Sequence, residues 1–355
     1  MTAALKNLFR PAAAPATTKF SAQVGGFPRT RMRRNRADEW TRRLVAEHRV
    51  SVDDLIWAVI LVEGQGVREP IPSMPHICRL SPDVLLEEAK QAHGLGVPAL
   101  AIFPAFGPEG KDATGSMCLN PHLGIYRAIR SLRRELPTMG VIADVALDPF
   151  TDHAHDGVLR DGVIVNDDTI DIMCKQAHLL ADAGCDMIAP SDMMDGRIGA
   201  LRDYLDDQGY ENVRLLSYAA KYASGFYGPY RDALKNKGLL KGDIKTYQMD
   251  PANTDEAMRE VALDVQEGAD LVMVKPGMPY LDIIHRIKTS FGVPVVAFQV
   301  SGEYAMLRAA TEAGWLDYPR CLMESLTCFK RAGADAIVTY AAIDAARILV
   351  KASGI

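Results

Sequence analysis

Two lysines stand where a packed core has little use for them. Residues 271–280 read Leu-Val-Met-Val-Lys-Pro-Gly-Met-Pro-Tyr, and Lys275 closes a short apolar run that Pro276 and Gly277 then stop. Lys221 closes a second apolar run, 213–220. An ammonium at the end of a buried strand loses hydration unless it is paired. Desolvation, or a second cation close by, lowers a lysine's pKa and leaves a neutral amine able to attack a carbonyl. One such lysine alone reads best as a side chain snorkelling to solvent. Two at the ends of adjacent strands read as a site for imine formation, each depressing the pKa of the other.

Other reactive side chains sit at the ends of neighbouring apolar runs. Asp144 lies in the run 141–147, Ser191 and Asp192 follow 186–190, Ser301 follows 293–300, and Tyr340 ends 334–340. Asp144, Ser191 and Asp192 are candidates for moving protons. Each aspartate taken singly is better read as a strand-end cap or ion pair; the convergence of all of them outweighs that. Arg231 can grip a carboxylate with two parallel hydrogen bonds. It follows the glycine- and tyrosine-rich stretch 222–230, whose composition suits a lid; Tyr227 and Tyr230 are its candidates for covering substrate.

The elements that would position these groups alternate. Eight apolar runs, 55–62, 97–103, 141–147, 186–190, 213–220, 271–274, 293–300 and 334–340, alternate with helix-period stretches such as 167–183, 255–267, 280–290 and 303–313. Ala183-Gly184, Glu267-Gly268 and Ala332-Gly333 end helices just before the next run. This predicts an α/β fold, a (β/α)8 TIM barrel with an extended N-terminal arm, whose site lies at the carboxyl ends of the strands. A doubly wound open sheet is the alternative, weakened because no G-x-G-x-x-G follows the first run. Residues 1–36 form the arm, loose and rich in Ala, Pro and Thr over 10–18, then basic from Arg29 to Arg36; residues 37–355 form the barrel, opening with a short amphipathic helix over 38–48.

The chain has 355 residues, 48% hydrophobic and 24% charged, with net charge −5. That is a globular composition with no run long enough to span a membrane. Six scattered cysteines without a CxxC pair, and no clean signal segment, point to reduced thiols in a cytoplasmic protein. The acidic balance, and arginines without interleaved aromatics, favour an arm that pairs with acidic patches on a neighbouring subunit over one that binds nucleic acid.

Four stretches carry a family resemblance. Ala219-Ala-Lys-Tyr-Ala-Ser-Gly-Phe-Tyr-Gly-Pro-Tyr-Arg-Asp-Ala233, Tyr247-Gln-Met-Asp-Pro251, Val272-Met-Val-Lys-Pro-Gly-Met-Pro-Tyr-Leu-Asp282 and Pro190-Ser-Asp-Met-Met-Asp-Gly-Arg197 resemble the porphobilinogen synthase (5-aminolevulinate dehydratase) family, from the basic arm to the C-terminus. The resemblance implies condensation of two 5-aminolevulinates to porphobilinogen in tetrapyrrole synthesis, by a homo-oligomer, usually an octamer, with hexamer and dimer as the other states. It implies that Lys275 holds the first substrate, with Ser301 and Tyr340 on its carboxylate. Lys221 then holds the second, with Arg231 and Gln248 on its carboxylate. The family's basic residue four before Gln248 is Ile244 here, which leaves Lys245 or Lys241 to supply that charge. Zinc-dependent members carry three cysteines where this chain has Ala146, Asp148 and Asp156, so no zinc is expected in the reaction; His153 and His155 read as ordinary hydrogen-bonding side chains. Glu260 corresponds to the glutamate of magnesium-responsive members, and reads equally as a helix-surface residue. The rival readings are a class I aldolase, which needs one lysine, and a non-enzymatic basic-arm binding protein.

Overall fold

The structure, a computed structural model, describes residues 25–353. Its contacts separate into two units that part between Arg49 and Val50. Within the first unit, Arg34–Ala37 and Glu39–Leu44 are short helices with no buried residue. The helix expected over 38–48 is therefore shorter and has no buried residue, since nothing apolar among the described residues of its own unit covers it. It also groups with the residues before it, so the contacts part 13 positions later than the sequence reading placed the division. Residues 1–24 of the expected arm lie outside the described residues.

The second unit is a closed parallel barrel. Its eight strands are β1 (Leu55–Leu61), β2 (Ala99–Pro104), β3 (Gly140–Val145), β4 (Met187–Pro190), β5 (Arg214–Lys221), β6 (Leu271–Lys275), β7 (Val295–Gln299) and β8 (Ala336–Thr339). Each pairs with the next in parallel, and β8 returns to pair with β1, which disposes of the open-sheet alternative. All seven residues of β1 and all five of β7 are buried. Side chains are covered on both faces, by the barrel interior and by the outer helices, so the strands read as unbroken apolar runs.

The amino ends of the strands are pinned by a repeated device. Gly184, Gly268 and Gly333 take positive φ of 99°, 108° and 114°, and an aspartate follows two residues later each time. Asp186, Asp270 and Asp335 then accept the backbone N–H of Val141, Leu215 and Val295, at 2.9, 2.7 and 2.7 Å. Each carboxylate thus ties its own strand to the first residues of the strand before it, on the face opposite the site.

Strands β5 and β6 do not keep simple register. Val272 lies opposite Ser217, but Val274 lies opposite Ala220 and Lys275 opposite Lys221. One extra residue on β5 shifts the pairing, since unbroken register would place Lys275 against Ala220. A one-residue bulge re-aims every side chain beyond it. Among the described residues no helix is long and apolar enough to cross a membrane, and the six cysteines are free thiols.

Candidate active site

The bulge places the two lysines side by side at the carboxyl end of the barrel. Both are 4% exposed. They differ in what surrounds them. Lys221 Nζ is 3.3 Å from each carboxylate oxygen of Asp156 and donates to the Ser191 carbonyl. Lys275 Nζ has no carboxylate within ion-pair distance among the described residues. It sits 5.0 Å from the ring centres of Tyr218, Tyr230 and Phe298 and 5.4 Å from that of Tyr227. Those ring faces attract a cation, but burial outweighs them. Burial first, and the Lys221 charge second, bring the Lys275 pKa down from 10.5 to about 8. Lys275 is thus the better nucleophile at neutral pH.

Carboxylates surround the pair. Asp144 is 3% exposed, and burial raises its pKa to about 6 against the favourable charge of Lys275. The Ser191 hydroxyl lies near enough to temper that rise, yet neither Asp144 oxygen has a hydrogen bond of good geometry. Asp148 is pushed well above its usual range by burial, then by the charges of Asp156 and Asp144. Its Oδ1 has no partner. Asp192, the other expected proton carrier, has a different setting. It is fully buried, accepts from the Met194 N–H at 2.6 Å, and lies 3.7 Å from Arg197 Nε. Its pKa rises to about 6 through burial, opposed by Arg197. The carboxylate faces a buried arginine, because helix Arg197–Asp207 starts directly beneath it.

One cavity joins six of the candidates. Lys221, Lys275, Tyr227, Tyr230, Arg231 and Gln248 line it with Asp148, Asp156, Asn236, Ile244 and Tyr247. The Arg231 guanidinium has no ion-pair partner among the described residues, as a carboxylate receptor requires. Gln248 donates to Asp156 at 3.2 Å and leaves its own Oε1 unpaired. Lys245 does not reach this cavity. It is exposed, and Ile244 takes the inward place in the one-turn helix Ile244–Thr246, while Lys245 and Thr246 face outward. Lys241 is exposed as well and meets His155 and His153 through its backbone. Ser301 stands at the start of helix Ser301–Glu312, with Oγ 3.5 Å from the Phe226 carbonyl of the lid. Tyr340 is 3% exposed and packs on Phe298, with ring centres 6.1 Å apart. It borders a separate cavity of about 550 Å3 against β1 and the C-terminal helix, which holds neither lysine.

The lid is ordered. Ser224 caps the turn Gly225–Tyr227, which runs into helix Gly228–Ala233. Tyr222 stacks on Tyr280, with ring centres 4.0 Å apart, and Tyr227 donates to the Lys275 carbonyl at 3.3 Å.

A family profile described as delta-aminolevulinic acid dehydratase matches residues 29–348. The dehydratase of Bradyrhizobium diazoefficiens is 54% identical over 319 residues, 90% of each chain. That of Rhodobacter capsulatus is 46% identical, over 91% of this chain and 97% of the other. The chain belongs to the delta-aminolevulinic acid dehydratase family. A crystal structure of the Toxoplasma gondii dehydratase, in complex with the reaction product porphobilinogen, superposes with a TM-score of 0.89 at 46% identity, over 91% of this chain and 92% of that one.

For a delta-aminolevulinic acid dehydratase, the donor set after β3 is distinctive. Ala146 is buried and offers no ligand, while Asp148 and Asp156 offer hard oxygens. His155 is occupied by Tyr247, at 3.0 Å, and by the Lys241 carbonyl; His153 lies 3.2 Å from the Ala113 carbonyl. Among the described residues no three His, Cys, Asp or Glu side chains converge as a metal-binding group. Glu260 is half-buried in helix Asp255–Gln266 and its pKa is raised, by burial first and Asp264 second. It lines a second cavity with Glu256, Asp195 and Lys245, away from the lysines but sharing Tyr247 and Gln248 as a wall.

Sequence reading passed over Lys111, Asn236, Tyr247, Arg197 and the ring of Tyr218 and Phe298. Only Arg197 and Tyr247 lay within stretches that drew attention. The others sit in loops, or on strand faces whose direction depends on the β5 bulge.

Proposed function

We infer that this chain condenses two molecules of 5-aminolevulinate to porphobilinogen, with loss of two waters, through imines on Lys275 and Lys221. The observation that carries the reading is the in-register lysine pair at the ends of β5 and β6, with only Lys275 free of a carboxylate. The neutral Lys275 amine attacks the ketone of the first substrate, and the carbonyl oxygen leaves as water. Lys221 passes its proton to Asp156 and attacks the second ketone, whose oxygen leaves as the second water. An imine acidifies the neighbouring C–H, so a carbon–carbon bond can form between the substrates. Elimination then frees Lys275 from the carbon that bears the new bond, the amine of the first substrate displaces Lys221 from the second imine carbon, and loss of a ring proton completes the pyrrole with no further water released. Asp144 and the Ser191 hydroxyl are placed to carry protons, since a carboxyl group near pKa 6 can both give and take one at neutral pH. Arg231 and Gln248 would hold one substrate carboxylate, and Ser301 with Tyr340 the other.

No zinc is assigned to this reaction. Alanine and two carboxylates replace the thiolates that a zinc site prefers. Magnesium is assigned to Glu260, where one carboxylate can hold an ion that keeps its waters, and where it would stiffen the shared Tyr247–Gln248 wall. Free thiols throughout suit a cytoplasmic enzyme, and the arm suits an octamer. The test is a colour assay for porphobilinogen on chelator-stripped enzyme with 5-aminolevulinate. Activity without zinc, raised by magnesium in the native chain but not in Glu260→Ala, is expected. Activity abolished by stripping and restored only by zinc contradicts the metal assignment; no product under any condition contradicts the function.

A further inference from the structure

Three segments from different parts of the barrel meet at one lysine and one asparagine that neither substrate chemistry nor the family resemblance called on. Lys111 lies in the loop after β2. Its Nζ donates to the Pro149 carbonyl at 2.7 Å and to Asn236 Oδ1 at 2.8 Å. Asn236, 3% exposed, uses its Nδ2 to reach the Asp148 carbonyl at 2.9 Å. Its backbone N–H donates to the Arg231 carbonyl at 2.8 Å. Asn236, Asp148 and Arg231 all line the cavity that holds both lysines. We propose that Lys111 and Asn236 form a strut that sets the spacing between Arg231, which grips the second substrate's carboxylate, and Asp148, which faces its amine.

The proposal rests on the imine reading above and adds the positioning of the second substrate. Both ends of the Asn236 amide are engaged: its oxygen takes the lysine and its nitrogen the Asp148 carbonyl, so the side chain cannot rotate without losing both. Lys111 also brings a positive charge within reach of Asp148, whose Oδ1 has no partner. Pro149 cannot donate, but its carbonyl is held by the same ammonium, which fixes the β3 exit on both sides of Asp148. Neither residue contacts Lys275, so the first substrate's imine does not depend on the strut. Both are positioning residues.

The experiment compares two readouts in the full chain. Borohydride with 5-aminolevulinate, followed by peptide mass mapping, reports the first-substrate adduct on Lys275. Steady-state porphobilinogen formation reports the second. In Lys111→Met and Asn236→Ala, the adduct is expected at the native level, while kcat/KM falls about 10- to 100-fold, mostly through KM. Lys111→Arg, which keeps charge and donors, is expected to recover most of the loss. Unchanged kcat/KM in both variants overturns the proposal. So does loss of adduct and turnover in parallel, because that is general damage to the site. If the native chain itself gives no adduct on Lys275, the imine reading fails first, and the two failures are told apart.

Discussion

At the scale of single residues, the site works by keeping two like amines in unlike surroundings. Lys221 is paired with Asp156; Lys275 is enclosed by rings and buried. With a pKa of about 8, roughly a tenth of Lys275 is neutral at pH 7, against about one part in 3,000 for an ordinary lysine. The neutral form is the nucleophile, so the rate of adduct formation is expected to rise with pH and level off above about 8. The Lys221 charge helps to hold that pKa down, so Lys221→Met should move the midpoint of the rate–pH curve to higher pH. Stopped-quench measurement of the adduct at each pH reads this directly; a midpoint that stays put or falls contradicts it. Much of this was legible beforehand, because a lysine closing an apolar run is conspicuous in any sequence. The unlike surroundings of the two amines were not, since they depend on Asp156 lying in space beside Lys221, 65 positions away. The pairing of Asp192 with Arg197, five residues on, was hidden for the same reason, since sequence gives no direction to either side chain.

At the scale of elements, the barrel order followed from eight apolar runs and the glycines before them, but register did not. The extra residue on β5 decides whether Lys275 faces Lys221 or Ala220, and no residue type in the run Leu215–Lys221 marks it. Which of Ile244 and Lys245 faces the cavity likewise depended on the turn of a short helix. The exit of β4 is held by a buried cluster. Arg197 reaches Asp264 at 3.4 Å, Ser217 on β5 at 3.3 Å and the Met194 carbonyl at 3.2 Å, and faces Asp192. Removing one member of a buried ion cluster leaves the others uncompensated. Arg197→Met is therefore expected to lower stability by about 3–5 kcal/mol in urea unfolding. A change under about 1 kcal/mol would mean that water relieves the two carboxylates. On the neighbouring exit, a Cβ at Gly302 would stand 2.4 Å from the Phe226 carbonyl. The lid approaches the start of that helix so closely that only glycine fits, and Gly302→Ala should lower turnover by displacing the lid while leaving the Lys275 adduct intact.

At the scale of the whole molecule, composition set the broad class and the family resemblance set the activity. The arm's role remains the part that lies furthest from the barrel chemistry. Among the described residues, Arg29 to Arg36 bond mainly to nearby backbone carbonyls and to the Phe27 ring, and none of that segment is buried. A basic, core-less segment gains stability only against another surface. Removing residues 1–36 is expected to shift sedimentation toward smaller species and to reduce activity; an unchanged assembly size contradicts that role. The activity itself is tested most directly by the covalent intermediate. The protein is incubated with 5-aminolevulinate and borohydride, digested, and mapped by mass spectrometry in the native, Lys221→Met and Lys275→Met forms. The account predicts a reduced adduct on Lys275 in the native chain and in Lys221→Met, none there in Lys275→Met, and turnover lost in both variants by at least about a thousandfold, ~4 kcal/mol in the barrier. Near-native turnover by Lys275→Met would contradict it.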